Sequence, residues 1–158
     1  LLTPVRPAPR RRRPTSRENP VIRPLQTSDA QALLELQRAS YRIEADLLGV
    51  TVFPPLAQTL SDIEEERPAG YVFEEGGLIG AITYEDATIT RLVVAPQAFR
   101  RGIGRQLVSH LLAHETIRFV STGEANLPAI GLYESFGFEQ AWFTERDGIR
   151  ILHLEKRN

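Results

Sequence analysis

The sequence predicts a mixed α/β domain: a mainly antiparallel sheet that holds one parallel pair of strands and is flanked by helices. Three observations carry that prediction. Short β-branched runs separated by turn residues fill "GYVFEEGGLIGAITYEDATITRLVVAP", residues 70–96. After Pro96 the apolar period becomes helical, with Ile103, Leu107, Val108, Leu111 and Leu112 at the recurring positions. Strands 87–94 and 117–122 then flank a single helix, so a right-handed crossover should make them parallel. At 158 residues the chain is long enough for one domain with a sizeable core.

Each element has a local reason. "PVIRPL", residues 20–25, is a short strand, and "TSDAQALLELQRASYRIEADLLG", residues 27–49, is a helix capped by Thr27 or Ser28. Ala30, Leu33, Leu34 and Leu36 share one side of it. A shorter helix is expected over 55–66, with Pro55 in its first turn. Strands at 70–74, 78–84 and 87–94 are separated by Gly76-Gly77 and Glu85-Asp86. The helix after Pro96 leads to "TIRFVST", a strand ended by Gly123. "NLPAIGLYESFG", residues 126–137, is a helix with Pro128 in its first turn and Gly137 at its end. Strands 138–145 and 149–156, joined by Asp147-Gly148, close the chain as a hairpin. The order is β-α-α-β-β-β-α-β-α-β-β.

Composition narrows the function. The chain has no Cys, which excludes disulfides, thiolate metal sites and a cysteine nucleophile. No apolar run approaches the ~18 residues of a membrane span, so a cytoplasmic protein with no membrane partner is expected. Residues 1–18 form a Pro/Arg-rich tail, read as disordered, and 19–158 form the single domain. Six of the 19 basic residues lie in 1–17, leaving 13 basic against 20 acidic groups in the remaining 141 residues. An acidic body and a tail without aromatics argue against nucleic acid and for a small cationic substrate.

One junction asks for a ligand. In "RLVVAPQAFRRGIGRQLVSHLL", residues 91–112, Arg100, Arg101 and Arg105 surround Gly102 and Gly104 where a strand turns into a helix. The first amides of a helix lack internal partners and carry the positive end of its dipole, so the junction suits a pyrophosphate or is an ordinary basic turn. A dinucleotide fingerprint would need glycine where Leu107 stands, and a triphosphate loop needs a lysine where the chain has only Lys156.

"LVVAPQAFRRGIGRQLVSHLL" resembles the acetyl-CoA-binding motif of the GNAT superfamily of N-acetyltransferases. "STGEANLPAIGLYESFGF", residues 121–138, resembles that superfamily's second signature, with Asn126, Ala129 and Tyr133 at the matching positions. The likeness covers about residues 20–156, with Phe99 standing where the motif usually has Gln or Arg. It implies acetyl-CoA as cosubstrate, no metal, and an acyl-CoA transferase fold in which strands 87–94 and 117–122 splay apart. It implies that amides from Arg100 through Arg101, Gly102, Ile103 and Gly104 to Arg105 hold the pyrophosphate. Leu92, Val93 and Val94 would then line or pair with pantetheine, joined by Asn126 and Ala129. Tyr133 would be the general acid toward the departing thiolate, and the amide of Val94 or its neighbour would serve the oxyanion.

Asn126 and Tyr133 are seven apart and share a helix face, offset by only ~20°; the plainer reading is a helix cap and a core aromatic. No base is assigned. Thr88 stands where some members have Glu, Glu85 and Asp86 read as a turn, and Glu44 and Asp46 either border the acceptor or face water. Residues 41–56, with Tyr41, Glu44, Phe53 and Pro54, are the candidate acceptor region for an amine-bearing small molecule or peptide. His110 and His114 read as boundary residues, and His153 as outward-facing. A noncatalytic acyl-CoA-binding sensor of the same fold is the alternative, and a homodimer is left open.

Overall fold

The computed structural model describes residues 19–157, so the expected disordered tail lies outside the described residues. Seven strands form one sheet: β1 (Val21–Pro24), β2 (Ala69–Glu74), β3 (Leu78–Glu85), β4 (Thr88–Val94), β5 (Phe119–Gly123), β6 (Phe138–Arg146) and β7 (Ile149–Lys156). Their spatial order is β1-β2-β3-β4-β5-β7-β6, and every neighbouring pair is antiparallel except β4 with β5. The predicted architecture and element order hold.

Four helices flank the sheet: α1 (Ala30–Leu48), α2 (Leu60–Glu66), α3 (Ile103–His114) and α4 (Leu127–Ser135). α1 packs on β3 and β4, and α3 on β2, β3 and β4. They use opposite faces. A Cβ at Gly80 would sit 2.8 Å from Ile103 of α3, whereas Thr83, three residues on, points to the α1–α2 side and meets Arg91. Leu33, Leu34, Leu107, Val108, Leu111, Ile82 and Val93 are buried in the resulting core.

Both helix starts fall later than expected. Thr27–Asp29 is a single 3₁₀ turn, and neither Thr27 nor Ser28 caps α1. There the Asp29 carboxylate accepts from the Gln26 amide at 2.8 Å and pairs with Arg23. Pro54–Ala57 forms its own 3₁₀ turn, and the second helix begins only at Leu60. Thr59 Oγ1 accepts from the Asp62 amide at 3.2 Å while Asp62 accepts from the Thr59 amide at 2.8 Å, a reciprocal cap that sets this start.

The decisive irregularity is in β4. Thr83 pairs with Arg91 but Tyr84 pairs with Ile89, so Thr90 is an extra residue, a bulge that bends the strand. β4 and β5 are consequently paired only at Thr88–Phe119 and Ile89–Val120. Beyond those pairs the strands part, and a cleft opens within the sheet.

Candidate active site

A cavity of about 210 Å³ occupies the cleft, walled by Leu92 of β4, Tyr41 and Glu44 of α1, and Asn126, Ala129 and Tyr133 of α4. A second, of about 480 Å³, adjoins it and shares Glu44, Phe53, Thr90 and Ser121; Leu48, Asp147 and Ile151 bound its far side. Another cavity, of about 530 Å³, lies elsewhere, between Leu25 and Ala30 on one side and Ile63 and Arg67 on the other. It holds none of the cleft's polar groups, and we place the chemistry in the splayed strands.

One wall of the cleft is backbone. Past Ile89 the β5-facing edge of β4, along Leu92–Val94, has no strand partner among the described residues. At the outlet α3 begins on Gly102, whose φ of +77° favours glycine, after Arg100 at +67°. The first helical bond runs from the Gln106 amide to the Gly102 carbonyl at 3.0 Å, so the amides of Ile103, Gly104 and Arg105 have no intrahelical acceptor. A Cβ at Gly102 would meet nothing within 4 Å, which leaves room for an anion against the backbone. These features fit a pyrophosphate.

The side chains there are less uniform than the motif suggests. Val93 and Ile103 are buried in the core, so neither side chain is offered to the cleft. Arg101 donates to Glu75 at 2.6 Å, Arg105 lies 5.4 Å over the Phe136 ring, and Arg100 is exposed. Phe99 is exposed.

The facing wall is made of side chains. Asn126 caps α4, its Oδ1 accepting from the Ala129 amide at 3.3 Å, yet it still borders the cavity. Both the cap reading and the cleft position therefore hold for this residue. Tyr133 is buried, edge-on to Phe138 at 5.9 Å, and lines the same cavity. Burial pushes its phenol far above the ordinary tyrosine range, and the nearby Glu44 and Tyr41 push it further. Glu44 is half-buried; burial raises its carboxyl while the Asn126 amide beside it pulls the other way. Asp46 is exposed on α1 and lines neither cleft cavity. Tyr41 meets Phe53 edge-on at 5.9 Å.

Sequence reasoning passed over Arg91. Its guanidinium is buried beneath the bulge, donating to both Glu66 carboxylate oxygens at 3.0 Å, to Thr83 Oγ1 at 3.0 Å and to Gln58 Oε1 at 3.2 Å. Fully buried Gln37 joins through Gln58 at 2.7 Å. Burial works to raise the Glu66 carboxyl, but Arg91, with help from Gln58, holds it below the usual range. The available signal was one arginine inside a β-branched run.

The histidines divide. His110 and His114 stack at 4.1 Å with Tyr71 against them, away from the cleft. His153 does not simply face outward: Nδ1 lies 2.7 Å from Ser121 Oγ, Nε2 lies 2.7 Å from Thr144 Oγ1, and Trp142 stacks on the ring. Thr88 lies at the closed end of the parallel pair; the β3–β4 turn is Asp86–Ala87, one residue later than expected, because Glu85 stays in β3 paired with Thr88.

Comparison with known proteins places these features in context. Residues 66–140 match the acetyltransferase (GNAT) domain family. The UPF0157 protein YqkA of Bacillus subtilis is 41% identical over 122 residues, covering 71% of this chain but 35% of that protein. This chain thus spans about a third of that relative's length. The ribosomal protein bS18 alanine N-acetyltransferase of Escherichia coli is 28% identical over 130 residues, 76% of this chain and 81% of the relative. The crystal structure of the S18-alanine N-acetyltransferase from Escherichia coli superposes with a TM-score of 0.69 at 21% identity, covering 87% of this chain and 93% of that one. The structure of yncA, a putative acetyltransferase from Salmonella typhimurium with acetyl-CoA bound, gives 0.66 at 19% identity, with 87% and 93% covered.

Proposed function

The chain belongs to the GNAT acetyltransferases, and from that premise we propose that it moves an acetyl group from acetyl-CoA to a primary amine by direct attack. The observation that carries this reading is the coincidence, in one cleft, of an open β4 edge, a bare helix N-terminus at its outlet and a buried tyrosine at its centre.

Bound acetyl-CoA supplies the activated acyl carbon and a thiolate leaving group. The amides of Ile103, Gly104 and Arg105, with Arg100 and Arg101 nearby, hold the pyrophosphate by charge and dipole. The unpaired edge of Leu92–Val94 accepts pantetheine as an added strand, and an amide at or near Val94 receives the developing oxyanion. Tyr133 keeps its proton at any ordinary pH because burial disfavours the phenolate, and it delivers that proton to the sulfur as the carbon–sulfur bond breaks. Side chains of 41–56 border the acceptor. The bS18 relative's name specifies an alanine amine on a protein, which supports a primary amine on a small molecule or peptide here.

Calorimetric titration with acetyl-CoA, followed by thiol release against a panel of primary amines, tests the reading. Saturable one-to-one binding with amine-dependent thiol release is expected. Absence of binding overturns it, and binding without turnover on any amine favours the noncatalytic sensor.

A further inference from the structure

Glu44 occupies the wall common to both cavities, with Tyr133 in the inner one and Leu48, Phe53, Ile149 and Ile151 around the outer one. A carboxylate drawn this far from water needs a counter-ion or several hydrogen bonds. Glu44 has little of either. Arg91, the cation in the inner cavity, is already paired bidentately with Glu66. Arg146 borders the outer cavity without forming an ion pair to Glu44 among the described residues. Asn126 is the one neighbour opposing the burial of Glu44: its oxygen accepts from the α4 cap, so its NH2 is the group that donates to the carboxylate, a single neutral hydrogen bond in place of a counter-ion.

Granted the acetyl-transfer reading, we infer that Glu44 is the acceptor's anchor and its base: it binds the ammonium of a primary amine carried on an apolar stem and takes one proton from it. The remaining steps balance. The nitrogen lone pair forms the bond to the acetyl carbon, the carbon–sulfur bond breaks, and the thiolate takes the Tyr133 proton. The proton still on nitrogen restores Tyr133, and the proton held by Glu44 leaves to solvent. Burial supports the role, since a carboxyl raised above its usual range is a stronger base near neutrality. The groups facing Glu44 are Tyr41 on its own helix, Asn126 and Tyr133 from α4, Arg91 from β4, and Arg146 and Asp147 from the β6–β7 hairpin. Glu66 stands behind Arg91, and His153 behind Ser121.

The test uses Glu44→Gln and Glu44→Asp in the full chain, with butylammonium as probe and butanol as its uncharged control. Calorimetry in the presence of CoA should show butylammonium binding weakened at least tenfold in Glu44→Gln, with butanol binding equal in both proteins. With the same amine, kcat/KM of Glu44→Gln should fall by roughly 100-fold at neutral pH. Its activity should lose the acid-side limb shown by the parent, and Glu44→Asp should restore that limb. Butylammonium binding that ignores Glu44→Gln, or an unchanged acid limb, overturns the assignment and passes the base role to Ser121 and His153. Failure of the parent to bind acetyl-CoA would instead overturn the transferase reading itself.

Discussion

The two walls of the cleft are built on opposite principles. The α3 wall presents backbone: three amides without an intrahelical acceptor, a glycine at positive φ and a strand edge with no partner strand among the described residues. The α1–α4 wall presents side chains, with Tyr41, Glu44, Asn126 and Tyr133 around the cavity and the Arg91–Glu66 pair beside it. A backbone site depends on what is absent, namely a Cβ or a competing charge, and is indifferent to most neighbours. A side-chain site depends on each atom present. The first suits a cosubstrate with an invariant pyrophosphate, and the second can be retuned to a particular acceptor.

The contrast can be broken most severely at Gly102. Gly102→Glu should weaken acetyl-CoA by about 10³-fold, because a like charge ~4 Å from a phosphate costs about 4 kcal/mol at an effective dielectric of 20. Gly102→Ala should nearly keep the affinity, since its Cβ meets open space, while left-handed strain lowers stability by about 1–2 kcal/mol. Calorimetry and thermal melting read the two effects apart; equal affinity for Glu and Ala would move the pyrophosphate elsewhere.

On the facing wall, Tyr133→Phe should reduce kcat by about 100-fold and leave acetyl-CoA affinity within about threefold. Because the active form is the protonated phenol and its pKa is raised, the parent should show no Tyr133-dependent alkaline loss below about pH 10. An undiminished kcat would remove Tyr133 from the acid role.

Arg91→Met should act on stability. It strands Glu66, Gln58 and Thr83, and about 2 kcal/mol is expected, or a Tm lower by roughly 4–8 °C. Glu66 has a depressed folded pKa, so its pairing contributes fully above the unfolded carboxylate value near 4.3 and is lost as pH falls through the lower folded value. The Tm gap between parent and variant should therefore narrow in acid; a constant gap would mean that packing, not charge, holds Arg91. The smallest effect is expected from Phe99→Gln, within about twofold in acetyl-CoA affinity, since neighbouring amides rather than that side chain form the cradle. A larger change would give position 99 a direct contact.

The legible parts of the molecule were contiguous. Helical spacing from Ile103 to Leu112 and the Gly-Arg junction each lie within about a dozen residues, so local pattern predicts them. Misplaced boundaries had local causes too, but subtler ones: the Thr59–Asp62 cap competes with the Pro55 start and wins because it satisfies two backbone amides. His153 lies on the face opposite buried Leu152 and Leu154, as alternation along β7 predicts, but alternation says nothing of Ser121, 32 residues away, or of the Trp142 ring stacked on it.

The amino-acid sequence by itself determined the element order, the β4-to-β5 crossover and the glycine-bearing helix start, since periodicity, turn chemistry and glycine placement act between near neighbours. Only the tertiary structure decided that Thr90 would bulge, that β4 and β5 would part after two residue pairs, and that Arg91 would be consumed by Glu66, 25 residues before it. Those outcomes depend on burial and on cross-strand register. Both are properties of surfaces brought together from distant segments, and they left Glu44 at the cleft with no ion pair among the described residues.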